Sequence, residues 1–432
     1  MKKRILAILL ASMLILAIVA CGDSSPSSSQ APTEKPAEKV QLTYWNQLSG
    51  GDGDVMLSMV ELYNAGDNWA TIEMTTFPSV EYYPKLITSM AVNEAPHLAI
   101  SHITSLTEFV QDGYLYPLDD LAANVGLQWG EFTSRLADGI RFDGKHYAVP
   151  LDTHVFLMHY NTHMLGELNM LDGDGMPTYL ATHGAESFLY YFRTIKPLLD
   201  ADVMPIAGTS QGELPLYLWW SLYTQQGGKM LSDDGSTATL DNEQSLKALQ
   251  FMVDLIEEDL WPKGQAGGGG IFNALQATAM FNGNWALPGL EANENLESFL
   301  SLPFPQIFEH RSVFGDSHTL VLPIQRTENK TEQVAAMDFA NWMADHTLLW
   351  AAGGHIPSKT AVIESEEYRS LPYRSAYAQS ADWVAFYPQT PHITGMKAAF
   401  TAVLASMVAG EYSAEQARDL LQEEMTRLIA QG

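Results

Sequence analysis

The sequence predicts an α/β protein of two lobes, the first a doubly wound, mostly parallel sheet flanked by helices. Three observations lead there. Short β-branched and aromatic runs alternate with helical periods through the first third of the chain, the pattern of βαβ units. After Pro150 the pattern changes to longer, aromatic-rich helices, which marks a second lobe. About 390 residues follow the N-terminal segments, too many for one hydrophobic core, and no second Pro/Ser-rich linker separates them into beads.

Residues 1–20 read as an export signal rather than a fold element: Met1-Lys2-Lys3-Arg4, then an apolar run from Ile5 to Ala20 broken only by Ser12. The run is shorter than the roughly 20 residues that span a bilayer. It ends at Ile18-Val19-Ala20-Cys21-Gly22, which resembles a bacterial lipobox. That resemblance implies cleavage before Cys21 and a diacylglycerol thioether on its sulfur, giving the two acyl chains that firm anchoring needs. Cys21 is the only cysteine, so disulfides and cysteine-based metal sites are excluded. Residues 21–39 are too rich in Pro and Ser to bury a core and are expected to be a solvated tether.

The folded part begins near Val40. Leu42 to Asn46 reads as a strand, the loop Gln47 to Gly53 follows, and Val55, Met59 and Leu62 or Tyr63 fall at helical spacing. Thr71 to Thr76 is a second strand, Tyr83 to Ile87 starts a helix that tolerates Pro84 in its first turn, and Leu98 to Ser101 is the next strand. The rhythm runs on to Tyr147-Ala148-Val149-Pro150. Beyond it, helices are expected at Phe188 to Pro197, Leu214 to Gln226 and Asn242 to Leu260, the last with Leu246, Leu249, Val253 and Ile256 on one face. Thr319 to Leu322 reads as a strand and Thr331 to Asp345 as a helix. Ser413-Ala414-Glu415-Gln416 opens a final helix as a capping box, with Leu421, Met425 and Leu428 turned inward.

The net charge of −28 makes nucleic acid a poor partner and speaks mildly against anionic ligands. Removing Lys2, Lys3 and Arg4 with the signal makes the chain more acidic still.

The order of motifs resembles the family 1 extracellular solute-binding proteins, the maltose-binding-protein-like receptors of bacterial carbohydrate ABC importers. The pieces are Tyr44-Trp45-Asn46 with its glycine loop, Tyr83 to Ile87 followed by Asn93-Glu94-Ala95-Pro96, Gly113 to Asp120, Asp143 to Pro150, His159-Tyr160-Asn161, Phe281 to Trp285, and Gly354 to Ser358. Two departures stand out: His97 follows Pro96 where the family usually has Asp, and Ala148 replaces a usual Gly. The resemblance implies a type II periplasmic-binding-protein-like fold, each lobe a doubly wound, mostly parallel sheet flanked by helices with the ligand cleft between the lobes, whose chain crosses between lobes three times, near Pro150 to His154, Val313 to Thr319 and His346 to Gly354. Lobe 1 would then comprise 40–150 and 314–352, and lobe 2 would comprise 151–313 and 353–432. It also implies a monomeric receptor on the outer face of the cytoplasmic membrane, working with a membrane permease and needing no cofactor.

A sugar offers apolar C–H faces and a ring of hydroxyls, so its receptor needs aromatic plates and hydrogen-bonding side chains in a cleft. Ligands of doubly wound sheets sit beyond the carboxyl ends of strands. That rule selects Trp45, Asn46, Ser49 and Asp52 after the first strand, His102 after Leu98 to Ser101, and Asp152 and His154 after Val149-Pro150. Trp45 could equally be core, and Asp152 with His154 could equally brace a crossing. The resemblance favours Trp285, which follows Asn282-Gly283-Asn284. Trp219 and Trp220 share a helix with Leu216, Leu218 and Tyr223, so at least one of these aromatics is core. His318 and His355 fall at the later crossings.

Three rival readings carry less. Gly208-Thr209-Ser210-Gln211-Gly212 is a literal G-x-S-x-G, but Pro205 spoils the strand a hydrolase would need before it. A glycosidase would need a carboxylate pair, and nothing singles one out. A metal receptor is suggested by His154, His159 and His163, which do not converge if His159 lies in a strand. Asp172-Gly173-Asp174-Gly175 departs from a calcium loop at Met176 and Pro177. No metal site is therefore expected.

Overall fold

A computed structural model describes residues 35–48 and 50–431; the expected export signal, Cys21, Ser49 and the expected tether up to residue 34 lie outside the described residues. The first lobe forms around Val40–Asn46, whose alternate side chains Leu42, Tyr44 and Asn46 are buried, as a strand with one covered face requires. It pairs in parallel with Ala70–Thr76 on one side, Val40 opposite Ala70, and with Leu98–His102 on the other. Helices Gly51–Ala65 and Lys330–Asp345 cover one face, where Tyr63 meets Phe339 edge-on at 4.9 Å. Helix Ser79–Ala91 contributes Tyr82, Leu86 and Met90 to a separate core. His97 is accommodated because its Nδ1 accepts the Thr43 N–H at 3.1 Å, a role a carboxylate could fill.

The βαβ rhythm stops earlier than the sequence suggests. Beyond Leu98–His102 the sheet continues with His318–Val321 and then Val149–Pro150, each antiparallel to its neighbour. The sheet is therefore mixed. A strand returning from the other lobe fills the position that a third local crossover would have filled, and local periodicity cannot announce such a neighbour.

The second lobe is organised by Asp152–Asn161, ten consecutive buried residues. Along one edge this strand pairs antiparallel with Ala277–Gly283. It also meets Ile356–Pro357, Val313–Asp316 and Phe299–Pro303, all antiparallel. Among the described residues of this lobe, only Met204–Ala207 on Ala277–Gly283, and Val384–Ala385 on Val313–Phe314, run parallel. The expectation that Pro205 spoils its strand is corrected: Met204–Ala207 is an edge strand, where a missing N–H costs no ladder bond, and the Pro205 carbonyl accepts from Thr278 Oγ1 at 2.6 Å. Helices Ala185–Ile195, Leu214–Thr224 and Glu243–Glu257 enclose a core in which Trp219 is fully buried. Helices Ile393–Ala409 and Ala414–Ala430 close the chain, with the Ser413–Gln416 capping box formed.

Val313–Asp316 pairs in the second sheet and His318–Val321 in the first, so the second crossing passes through Ser317, later than a 313/314 boundary. On the third, Trp350 belongs to the first lobe's core and Ile356 to the second's, with His355 between them.

Candidate functional site

The three crossings meet in one place. Asp152 and His154 lie two residues apart on a strand, and so on one face of it. Strand register sets Asp316 opposite His154 and His318 opposite His102. The ring centroids of His154 and His318 are 4.3 Å apart, those of His102 and His318 5.1 Å, and those of His318 and His355 5.2 Å. Asp152 is wholly buried beneath them. Its Oδ2 accepts from His318 Nδ1 at 2.8 Å and Trp350 Nε1 at 2.6 Å, and its Oδ1 from the His318 backbone N–H at 3.0 Å and His154 Nδ1 at 3.2 Å.

Burial opposes ionisation of Asp152, but the histidines around it, His318 above all, outweigh burial and hold its carboxyl well below the usual range. His318 is correspondingly raised: burial pulls it down, and the Asp152 carboxylate more than restores it. His154 is driven the other way, to about 4, by burial and then by His318. Burial also depresses His102, with His318 and His154 adding to it. The floor is thus a hydrogen-bonded cluster in which Asp152 and His318 favour each other's charged forms, while His154 and His102 are driven toward the neutral form.

Above this floor lies a cavity of about 580 Å³ between the lobes. Its first-lobe wall includes Gln47, Asp52, Tyr83 and His102. Tyr83 and His102 are locked together: the Tyr83 hydroxyl lies 2.6 Å from His102 Nδ1 and accepts the His102 backbone N–H at 2.8 Å. The second-lobe wall includes Thr209, Glu213, Tyr217, Trp285, Phe314 and Lys397. Tyr217 stacks on Phe314 at 4.0 Å and donates to Glu213 Oε2 at 2.5 Å, while Lys397 Nζ sits 3.1 Å from Glu213 Oε1. Trp285 folds back over Gly283, where a Cβ would fall 2.1 Å from the indole ring, so any side chain there would displace the indole. Tyr217 and His154 approach Trp285 edge-on. Burial pushes Asp316 up to about 6 against the hydrogen bond it accepts from Thr104 Oγ1 at 2.5 Å. Burial would likewise raise Glu213, but Lys397 and Tyr217 hold it below its ordinary value.

Of the residues singled out from sequence, Asp52, His102, His154, Trp285 and His318 line the cavity. Asp152 and His355 lie beneath it, fully buried. Ser49 is outside the described residues. Four others sit elsewhere. Trp45 packs edge-on against Phe77 at 4.9 Å, because Tyr44 and Asn46 take the strand's covered face. Asn46 braces the glycine loop by accepting from Leu48 N at 3.0 Å. Trp219 stacks on Tyr223 within the core, and Trp220 donates to the Ala385 carbonyl at 2.8 Å.

Sequence reasoning did not find Tyr83, Glu213, Tyr217, Phe314, Asp316 and Lys397. The strand-end rule would have reached Thr209 had Pro205 not been taken to break the strand before it. Lys397 carried no local mark, since a helix near the chain's end brings it to the cleft.

The rival motifs resolve structurally. Ser210 is buried, and its hydroxyl donates to the Gln265 carbonyl at 3.2 Å. His159 Nδ1 meets Ser301 Oγ at 2.8 Å inside the sheet, while His163 pairs with Glu297 at the surface. Asp172 Oδ1 accepts from the Asp174 and Met176 backbone amides, which makes a closed polar turn.

Comparison with known proteins agrees with this architecture. The diacetylchitobiose binding protein DasA of Streptomyces coelicolor is 22% identical over 237 residues, covering 54% of this chain and 51% of that protein. The match thus spans about half the length of this curated relative. Two solved structures superimpose with a TM-score of 0.79, each covering 91% of this chain and 99% of the other. One is the GacH receptor of Streptomyces glaucescens, solved unliganded and with acarbose, at 17% identity. The other is UgpB of Mycobacterium tuberculosis in complex with glycerophosphocholine, at 14% identity. Identities this low show a shared fold. Residues 58–376, most of the chain, match the family described as bacterial extracellular solute-binding protein; the chain belongs to that family.

Proposed function

We propose that the protein is a lipid-anchored extracellular receptor that binds a sugar or oligosaccharide in the cleft and delivers it to an ABC permease by hinge closure. The observation that carries this reading is the cavity itself. It is about 580 Å³, walled by both lobes, with Trp285, Tyr217 and Tyr83 beside Gln47, Asp52, Glu213 and the histidine floor. Indole and phenol rings match apolar sugar faces, and carboxylates, amides and imidazoles match hydroxyls. Each neutral hydrogen bond nets about 0.5–1.5 kcal/mol, so several of them plus stacking reach the roughly −8 kcal/mol of micromolar binding. DasA and GacH are named or solved with saccharide-type ligands. The phosphate of a ligand such as the glycerophosphocholine of UgpB meets no unpaired lysine here, because Lys397, the one lysine lining the cleft among the described residues, is paired to Glu213.

Binding without turnover fits the burial of Ser210 against a carbonyl. Anchoring rests on the Ala20-Cys21 sequence alone, and no helix among the described residues is long and apolar enough to cross a membrane. Thermal-shift screening against chito- and malto-oligosaccharides tests the ligand class, since a ligand that binds only the folded state raises its melting temperature. At least one saccharide is expected to raise it while glycerophosphocholine does not. A shift from the phosphodiester alone contradicts the assignment.

A further inference from the structure

We propose that Asp152, His154, His318 and His355 form a site for one divalent transition-metal ion of the zinc class. Three imidazoles and a carboxylate are a donor set that suits this borderline cation. One donor atom from each of the four side chains lies within 4.8 Å of every other. Tetrahedral bonds of about 2.0–2.2 Å set donors roughly 3.3–3.6 Å apart, so the side chains need to draw in by about 1 Å. Cations can reach the site, because His154 and His318 line the cleft.

The independent observation is His355. A purely hydrogen-bonded brace accounts for Asp152, His154, His318 and Trp350, but it leaves His355 without a role. His355 is fully buried, and neither ring nitrogen has a hydrogen-bond partner among the described residues. Native interiors satisfy such atoms with protein, water or an ion. Its ring is held flat on Trp350 at 4.4 Å, with Nδ1 3.5 Å from Asp152 Oδ2 and Nε2 3.8 Å from Asp52 Oδ2. Gly354, at φ +91°, sets this approach: a Cβ there would fall 2.1 Å from the Asn284 carbonyl oxygen. With Nδ1 on the ion, the Nε2–H faces Asp52, the carboxylate that commonly orients a metal-bound histidine.

The donors come from all three crossings: Asp152 and His154 from the first, His318 from the second and His355 from the third. A bound ion therefore ties together the segments about which the lobes would turn. This inference does not depend on the saccharide reading, since an ion here would leave the Trp285 and Tyr217 walls free.

The test uses tag-free, chelator-stripped full-length folded protein titrated with zinc chloride alone, beside His355→Gln. Wild type is expected to take up one zinc per chain, to melt higher with zinc, and to give cobalt(II) the visible absorption of tetrahedral coordination. His355→Gln is expected to weaken zinc uptake at least tenfold and to lose the cobalt spectrum, while its circular dichroism stays unchanged. Absent uptake in wild type, or uptake undiminished in the variant, overturns the proposal. So does a variant that melts lower by the same amount with and without zinc, because the cluster is then only a brace. His154→Gln, at the cleft surface, gives a second variant should His355→Gln fail to fold.

Discussion

On the proposed reading, Trp285 is the residue on which ligand binding turns most directly. It offers the largest aromatic surface in the cleft, and its seat depends on Gly283. Trp285→Ala is expected to weaken saccharide binding by about 10- to 100-fold, or roughly 1.5–3 kcal/mol, with little change in melting temperature; calorimetry and thermal unfolding check both. Gly283→Ala should reproduce part of that loss through displacement of the indole ring. A different residue contributes to acid stability. His159 is buried, and burial lowers it to about 4, while its bond to the Gly283 carbonyl only partly opposes the shift. Between pH 6.5 and 4 the unfolded chain therefore binds a proton that the folded chain refuses, so stability is lost as pH falls. The expected contribution is up to about 1.4 kcal/mol per pH unit, and denaturant titrations of His159→Gln should show a shallower slope across that window alone. Residue chemistry was legible where a strand end carried it. His102, Asp152 and His154 stand at such ends and meet at the floor. Trp45 stands at one too, but alternation along its strand turns it toward Phe77, and the parity of that alternation depends on which face the helices cover.

At the scale of elements, periodicity and capping were readable, while neighbours were not. The final helix opens where Ser413 and Gln416 indicate, and Ser413→Ala is expected to cost about 1 kcal/mol in unfolding experiments without touching ligand affinity. Met204–Ala207 shows the converse. Pro205 reads as a strand breaker in isolation, and only the sheet reveals an edge position where it does no harm. The antiparallel placement of His318–Val321 beside Leu98–His102 is likewise a partnership between segments more than two hundred residues apart in sequence. The third crossing depends on a glycine in the same way. Gly354→Ala combines a left-handed backbone with a collision at Asn284, and should destabilise the fold by about 2 kcal/mol or more.

At the scale of the molecule, two sheets and three short crossings place the acidic, aromatic cleft where relative motion of the lobes would open and close it. A ligand shifts such an equilibrium only through contacts it makes better in one state than the other. Trp285 and Glu213 on one wall, with Asp52 and Tyr83 on the other, offer contacts that a single bound molecule can bridge. Solution scattering should therefore show a smaller radius of gyration with a saturating saccharide than without. The two-lobed organisation was legible because length, the change of rhythm at Pro150 and the ordered motifs agreed. The cleft's second wall was not, since Tyr217, Phe314 and Lys397 converge from three distant stretches of chain. The most direct test is a calorimetric titration of the purified protein with a panel of chito- and malto-oligosaccharides, each recovered afterwards by chromatography. The account predicts saturable heat at one molecule per chain from at least one of them, with that saccharide recovered intact. No heat from any member, or recovery of a shortened product, would contradict it.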